Sequence, residues 1–147
     1  MSVVIRALIQ TDIAAAQALL EQLGYSMTGE ECTRRIAAVN SATDHAVMIA
    51  EKDGAIVGLL HLYARPALES PPEVIVQAVV VDQVYRSSGI GKKLMEAAER
   101  WAHENSYASV ALTSSVIRTG AHAFYTELGY ESVGTSVMFR KQLAAAG

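Results

Sequence analysis

Residues 79–93 read Val79-Val80-Val81-Asp82-Gln83-Val84-Tyr85-Arg86-Ser87-Ser88-Gly89-Ile90-Gly91-Lys92-Lys93. The run opens with three consecutive valines, the pattern of a strand covered on both faces. It closes where a helical period begins, since Ile90, Leu94, Ala97, Ala98, Trp101 and Ala102 share one stripe. The turn between them, Arg86 to Gly91, therefore joins a buried strand to a helix start. The first N–H groups of a helix have no intrahelical acceptor, and the helix dipole adds partial positive charge. Such a turn is an anion site. Gly89 and Gly91 allow close backbone approach to a phosphate, and Arg86, Lys92 and Lys93 add charge at the same end. Two other phosphate loops fit poorly. The Walker pattern, Gly-x-x-x-x-Gly-Lys-(Ser or Thr), is absent. The dinucleotide fingerprint needs a third glycine and an early βαβ unit, whereas this turn lies past mid-chain behind a hairpin.

Outward from the turn, Glu73 to Val81 reads as a long strand. The stretch Arg65 to Pro72 carries the chain's three prolines and reads as a loop. Before it, Ala46–Glu51 and Ala55–Ala64 are partner strands around Asp53-Gly54, a strong hairpin signal. Val3–Ile9 is a first strand. Thr11 or Asp12 is positioned to cap a helix from Ile13 to a stop at Gly24. Thr28 with Glu31 resembles a capping box opening a second helix from Gly29 to about Val39. Downstream, Ala108–Thr113 is a strand, and Arg118 or Thr119 to Leu128 is a helix stopped by Gly129. Tyr130–Val133 and Ser136–Lys141 form a last hairpin. The order is β-α-α-β-β-β-α-β-α-β-β: an α/β fold, α+β by some schemes, with a mixed, mostly antiparallel sheet flanked by helices.

The chain has 147 residues, 51% hydrophobic and 18% charged, which predicts one domain, residues 1–147, with a sizeable core. A formal charge of −3 gives no basic footprint for nucleic acid. No apolar run reaches membrane-spanning length, and no signal pattern opens the chain. The single cysteine, Cys32, forbids an internal disulfide and reads as a small buried apolar group. These features predict a cytoplasmic protein with no membrane or nucleic-acid partner. His45, His61 and His103 are scattered without metal-ligand spacing, so no metal is expected. His122 reads as packing or surface, and Trp101 as core.

With a second motif, the turn resembles the GNAT superfamily of N-acetyltransferases. Arg86-Ser87-Ser88-Gly89-Ile90-Gly91 matches the family's (Gln or Arg)-x-x-Gly-x-(Gly or Ala). Arg118 to Tyr130 matches its later helix, with Ala121, Phe124-Tyr125 and Leu128-Gly129-Tyr130 as core. The element order is similar over nearly the whole chain. The resemblance implies acetyl-CoA as cosubstrate. Backbone groups of Val79, Val80 and Val81 would hold the pantetheine arm like an added strand. N–H groups of Ser87, Ser88, Gly89, Ile90, Gly91 and Lys92 would hold the pyrophosphate. Arg118 and Ala121 would complete the cofactor contact, although many members have Asn where Arg118 stands.

The implied reaction is attack of a primary amine on the thioester. An alkyl amine is mostly protonated near pH 7, so a base is needed. The developing oxyanion needs a fixed donor, which the resemblance puts at backbone N–H near Val80. It also makes Tyr125 the acid that protonates the leaving thiolate. Glu73, thirteen residues before Arg86, stands where some members carry a catalytic Glu. Gln77, four further along the strand and on the same face by period two, would orient a water instead. On the acceptor side, Tyr25, Glu30 and Tyr63 are candidate contacts. The motif favours a small-molecule amine. A protein lysine or N-terminus is the alternative acceptor, and a non-catalytic acyl-CoA sensor the alternative role. The terminal hairpin offers an edge for a homodimer.

Overall fold

The computed structural model describes residues 2–114 and 119–144. The chain divides into two compact units, Met1–Thr113 and Ser114–Gly147. The first unit carries β1 (Val3–Ala7), α1 (Ile13–Gln22), α2 (Gly29–Ser41), β2 (His45–Lys52), β3 (Ala55–Arg65), β4 (Glu73–Val81), α3 (Ile90–Glu104) and β5 (Val110–Leu112). Its five strands lie in chain order, β1-β2-β3-β4-β5. All neighbours are antiparallel except β4 and β5, which are parallel.

Local chemistry sets the boundaries. Thr28 Oγ1 accepts from the Glu31 N–H at 3.1 Å, and Glu31 Oε1 accepts from the Thr28 N–H at 2.9 Å, which is the capping box expected for α2. Asp53 and Gly54 have φ of 51° and 81°, as a tight hairpin with both central residues left-handed requires. Asp12 precedes α1 as expected but does not cap it. Its buried carboxylate instead takes the Arg6 guanidinium at 2.8 and 3.0 Å and the Ile9 N–H at 2.8 Å. The Arg6 hydrogen bonds hold the Asp12 carboxyl below the usual carboxylate range.

Helices cover both faces of this sheet. Leu59 and Val80 pack with Ala16 and Leu19 of α1, together with Leu8 and Ile49. The neighbouring residue Gly58 faces α3, where an added Cβ would meet Leu94 Cδ1 at 2.9 Å and Ala50 Cβ at 3.2 Å. Successive strand residues point to opposite faces, so α1 and α3 lie on opposite sides of β3. Gly58 lets the first turn of α3 close onto the strand. The expected stripe is buried at Ile90, Leu94, Ala97, Ala98 and Ala102, with Met95 added. Trp101 is only half-buried and stacks on Tyr107, with centroids 6.2 Å apart.

The second unit carries α4 (Thr119–Glu127), followed by Gly129 at φ 94°. The expected hairpin is corrected here: residues 130–144 form no strand. Val133, Val137, Met138 and Phe139 supply β-propensity but are 77–93% exposed. Two short strands around one glycine are marginal without a third partner, whatever their composition.

Candidate active site at the open edge of the fourth strand

The ladder between β4 and β5 joins only Val74–Val76 to Val110–Leu112. Beyond Val76, β4 runs on to Val81 with β3 on one side and, among the described residues, no ladder on the other. Val80 anchors this segment in the core, 5% exposed, with half-buried Val79 and Val81 on either side. The backbone edge of residues 77–81 is therefore carried on a segment anchored by the buried Val80 side chain.

The turn that follows is fixed by local bonds. Asp82 Oδ1 accepts from the Val84 N–H at 3.1 Å, and Gln22 Oε1 at the end of α1 accepts from the Gln83 N–H at 2.9 Å. Arg86 Nε donates to the Val81 carbonyl at 3.3 Å, and Ser88 Oγ donates to the Tyr85 carbonyl. Ser87 and Gly89 both take left-handed backbone, φ 65° and 84°. Open space surrounds the position a Gly89 Cβ would take, so the glycine is required by φ rather than by crowding. Gly89 is the N-cap of α3 without a side-chain cap, and its carbonyl accepts the Lys93 N–H at 3.1 Å. The N–H groups from Ser87 to Lys92 find no acceptor among the described residues. All of these residues except Ile90 and Gly91 are exposed. The arrangement is a row of unsatisfied donors at the positive end of a fifteen-residue helix.

The other end of β4 is built from side chains. Glu73 Oε1 accepts from Arg65 Nη2 at 2.9 Å, and Oε2 accepts from Ser109 Oγ at 3.0 Å. Both carboxylate oxygens are engaged, which ties β3, β4 and the approach to β5 together. Gln77 lies elsewhere than period two places it. The β3–β4 register passes from Leu62–Val76 to His61–Ala78 and leaves Gln77 as an exposed bulge residue. The bulge breaks the alternation, so a shared face with Glu73 no longer follows.

Among the acceptor-side candidates, Tyr25 is 59% exposed between α1 and α2, and Glu30 is exposed in the first turn of α2. Tyr63 is half-buried and stacks on His45 at 5.0 Å. His45 is also stacked on His61, with His45 Nδ1 and His61 Nε2 3.0 Å apart. Sequence spacing gave no hint of this pair. The β2–β3 register, with His45 opposite Tyr63 and Val47 opposite His61, brings residues sixteen apart into contact. No metal-ligating group of three His, Cys, Asp or Glu forms among the described residues. No described helix is long and apolar enough to cross a membrane.

In the second unit, Tyr125 lies on α4 between Phe124 and Tyr130, with edge-on ring contacts at 5.2 and 6.2 Å. Ala121 is half-buried on the same helix. Arg118 lies outside the described residues.

Residues 15–130 match the sequence profile described as Acetyltransferase (GNAT) family. The uncharacterized N-acetyltransferase YhdJ of Bacillus subtilis (strain 168) is 26% identical over 129 residues, covering 87% of this chain and 89% of its own length. The N-acetylaspartate synthetase of Xenopus tropicalis is 31% identical over 86 residues, and the match covers 58% of this chain and 31% of that protein. Among solved structures, the aminoglycoside N-acetyltransferase AAC(6')-Iy in complex with CoA superposes with a TM-score of 0.87 at 23% identity. That match covers 97% of this chain and 96% of the other. Glucosamine-6-phosphate N-acetyltransferase of Arabidopsis thaliana superposes with a TM-score of 0.79 at 25% identity, covering 98% and 100%. The fold, the strand–turn–helix and the profile agree, and the chain belongs to the acetyltransferase (GNAT) family.

Proposed function

We propose that the chain transfers an acetyl group from acetyl-CoA to a primary amine of a small molecule, with residues 1–147 acting as one catalytic domain. The observation that carries this is the start of α3: an uncapped helix N-terminus placed directly behind a strand with an open edge. The N–H groups of residues 87–92 fit a pyrophosphate, with Arg86 and Lys92 beside it. The edge at Val79–Val81 fits an extended amide-bearing arm, held as an added strand. Bound there, acetyl-CoA supplies the activated acetyl group. Arg118 and Ala121 would complete its contacts, and Tyr125 would give a proton to the departing sulfur. Glu73 and Gln77 border the acceptor side, with Tyr25, Glu30 and Tyr63 further out. The names of the aminoglycoside and glucosamine-6-phosphate enzymes that share the fold support a small-molecule acceptor.

A thiol-release assay with acetyl-CoA tests this reading against polyamines, amino acids, aminoglycosides, arylalkylamines and lysine peptides. Release with a small amine is the expected result. Release with lysine peptides alone would make the acceptor a protein. CoA binding without release on any amine would make the chain a sensor. Tyr125→Phe should lower kcat by roughly 10²-fold, within the range for a general acid, with CoA affinity unchanged. An unaltered kcat removes Tyr125 from the reaction.

A further inference from the structure

Beneath α2 lies a half-open cavity of about 140 Å³. Its walls include Ala16 and Leu20 of α1, Ile36 and Val39 of α2, Val47 of β2 and Leu59 of β3. Among the described residues, no carboxylate lines it. Its one polar wall from the sheet is His61, which pairs in register with Ala78, the residue before Val79 at the open edge of β4. Imidazole Nε2 of His61 is engaged by His45, and its Nδ1 makes no hydrogen bond with a described residue. In the tautomer that donates its Nε2–H to His45 Nδ1, His61 keeps Nδ1 as a proton acceptor. It lines the apolar recess from β3, one strand in from the open edge of β4 where the thioester arm is expected.

Resting on the acetyltransfer reading above, we propose that this cavity receives the apolar group of the acceptor amine and that His61, oriented by His45, takes the proton from its nitrogen. A dry cavity of about 150 Å³ holds a benzene ring, so the matching acceptor carries a phenyl-sized or branched aliphatic group. A polycationic amine would find no anion in these walls. In the reaction the ammonium nitrogen gives one proton to neutral His61, and its freed electron pair forms the C–N bond. The C–S bond breaks, sulfur leaves with the C–S bonding pair and takes a proton, and the nitrogen loses a second proton as the amide forms. One proton is released net.

The surroundings keep His61 neutral. Burial first, then His45, push it below its ordinary value of 6.5. Arg35 and Cys32 face the cavity from α2; the Arg35 guanidinium lies 3.9 Å from Glu31, and burial pushes the Cys32 thiol up. Tyr63 of β3 and His45 of β2 are the rings that contact His61 among the described residues. Those lining residues that come from α1 and β4 are apolar. Glu73, by contrast, has both oxygens committed to Arg65 and Ser109.

The test uses phenethylamine and its β,β-difluoro analogue, which has nearly the same shape but is far less basic. In the wild type, kcat/KM for phenethylamine should fall on an acidic limb below about pH 6.5. His61→Gln should lower it by roughly 10²-fold and flatten that limb, with the loss shrinking to about threefold or less for the fluorinated amine. Added imidazole should restore part of the rate to His61→Ala. His45→Asn, a change in a positioning residue, should move the acidic limb to higher pH, because it removes the neighbour that helps depress His61. Equal losses for both amines, or a limb unmoved in both His61→Gln and His45→Asn, overturn the base assignment. If His61→Gln does not fold, the His45→Asn limb alone decides. Turnover of an aminoglycoside but not phenethylamine overturns the acceptor class and leaves acetyl transfer standing. If the wild type releases CoA with no amine at all, acetyl transfer itself fails and takes this inference with it.

Discussion

The two ends of β4 are built by different means. At its C-terminal end, Val79–Val81 and the turn to Gly89 offer backbone: an open edge, left-handed φ at two residues and a row of free N–H groups. At its N-terminal end and on the neighbouring strands it offers side chains brought together by register: Glu73 with Arg65 and Ser109, and His45 with His61 and Tyr63. Backbone donors tolerate much sequence change provided the turn keeps its dihedral angles. Side-chain sites do not.

The largest effect that would separate the ends is Gly89→Val. A β-branched residue at φ 84° is strained by about 1–2 kcal/mol or more. Since the site is exposed and uncrowded, the strain should appear as loss of the bound turn geometry. CoA should bind roughly tenfold more weakly, with the melting temperature of the first unit nearly unchanged. Calorimetric titration with CoA beside a thermal melt checks both. A large drop in melting temperature with CoA affinity intact would make the turn a folding element only.

Gly58→Ala tests whether α3 must sit close to the sheet to present its N-terminus. Leu94 and Ala50 are both fully buried, so the added methyl group has little room to push them aside. Overpacking of this kind costs about 1–3 kcal/mol. Urea unfolding should show that loss, with a smaller weakening of CoA binding from the displaced helix start.

Arg65→Ala probes the other end. An exposed ion pair contributes about 0.2–1 kcal/mol, so stability should barely move. KM for the amine should rise while CoA affinity stays the same. A fall in CoA affinity would show that the ends of β4 are coupled.

The smallest effect concerns pH. The folded chain holds His61 below 6.5, so its neutral form contributes stability above that value. That contribution is lost as pH falls through the lower, folded value. Asp12 adds a separate loss at more acidic pH, because its folded value lies below 3.8. Melts from pH 7 to pH 3 should show His61→Gln flattening the upper part of the decline and Asp12→Asn the lower part.

The same contrast explains what the sequence revealed. The strand–turn–helix depends on neighbours in the chain, so Val79–Val81, Gly89 and the stripe of α3 announced it. Thr28 with Glu31 and Asp53-Gly54 were legible for the same reason. The His45–His61 pair and the Glu73 anchors depend on strand register, and no local pattern reports that. The bulge at Gln77 shifted a face that simple alternation had assigned. The expected strands at 130–141 had β-propensity but lacked the ladder that propensity needs.

The central claim is that backbone N–H groups at the start of α3 hold the donor. Amide chemical shifts of 15N-labelled protein titrated with CoA test it most directly. The account predicts that the amides of residues 87–92 move most, those of Val79–Val81 next, and those of Arg65 and Glu73 least. Saturable CoA binding that leaves residues 87–92 unmoved would contradict it.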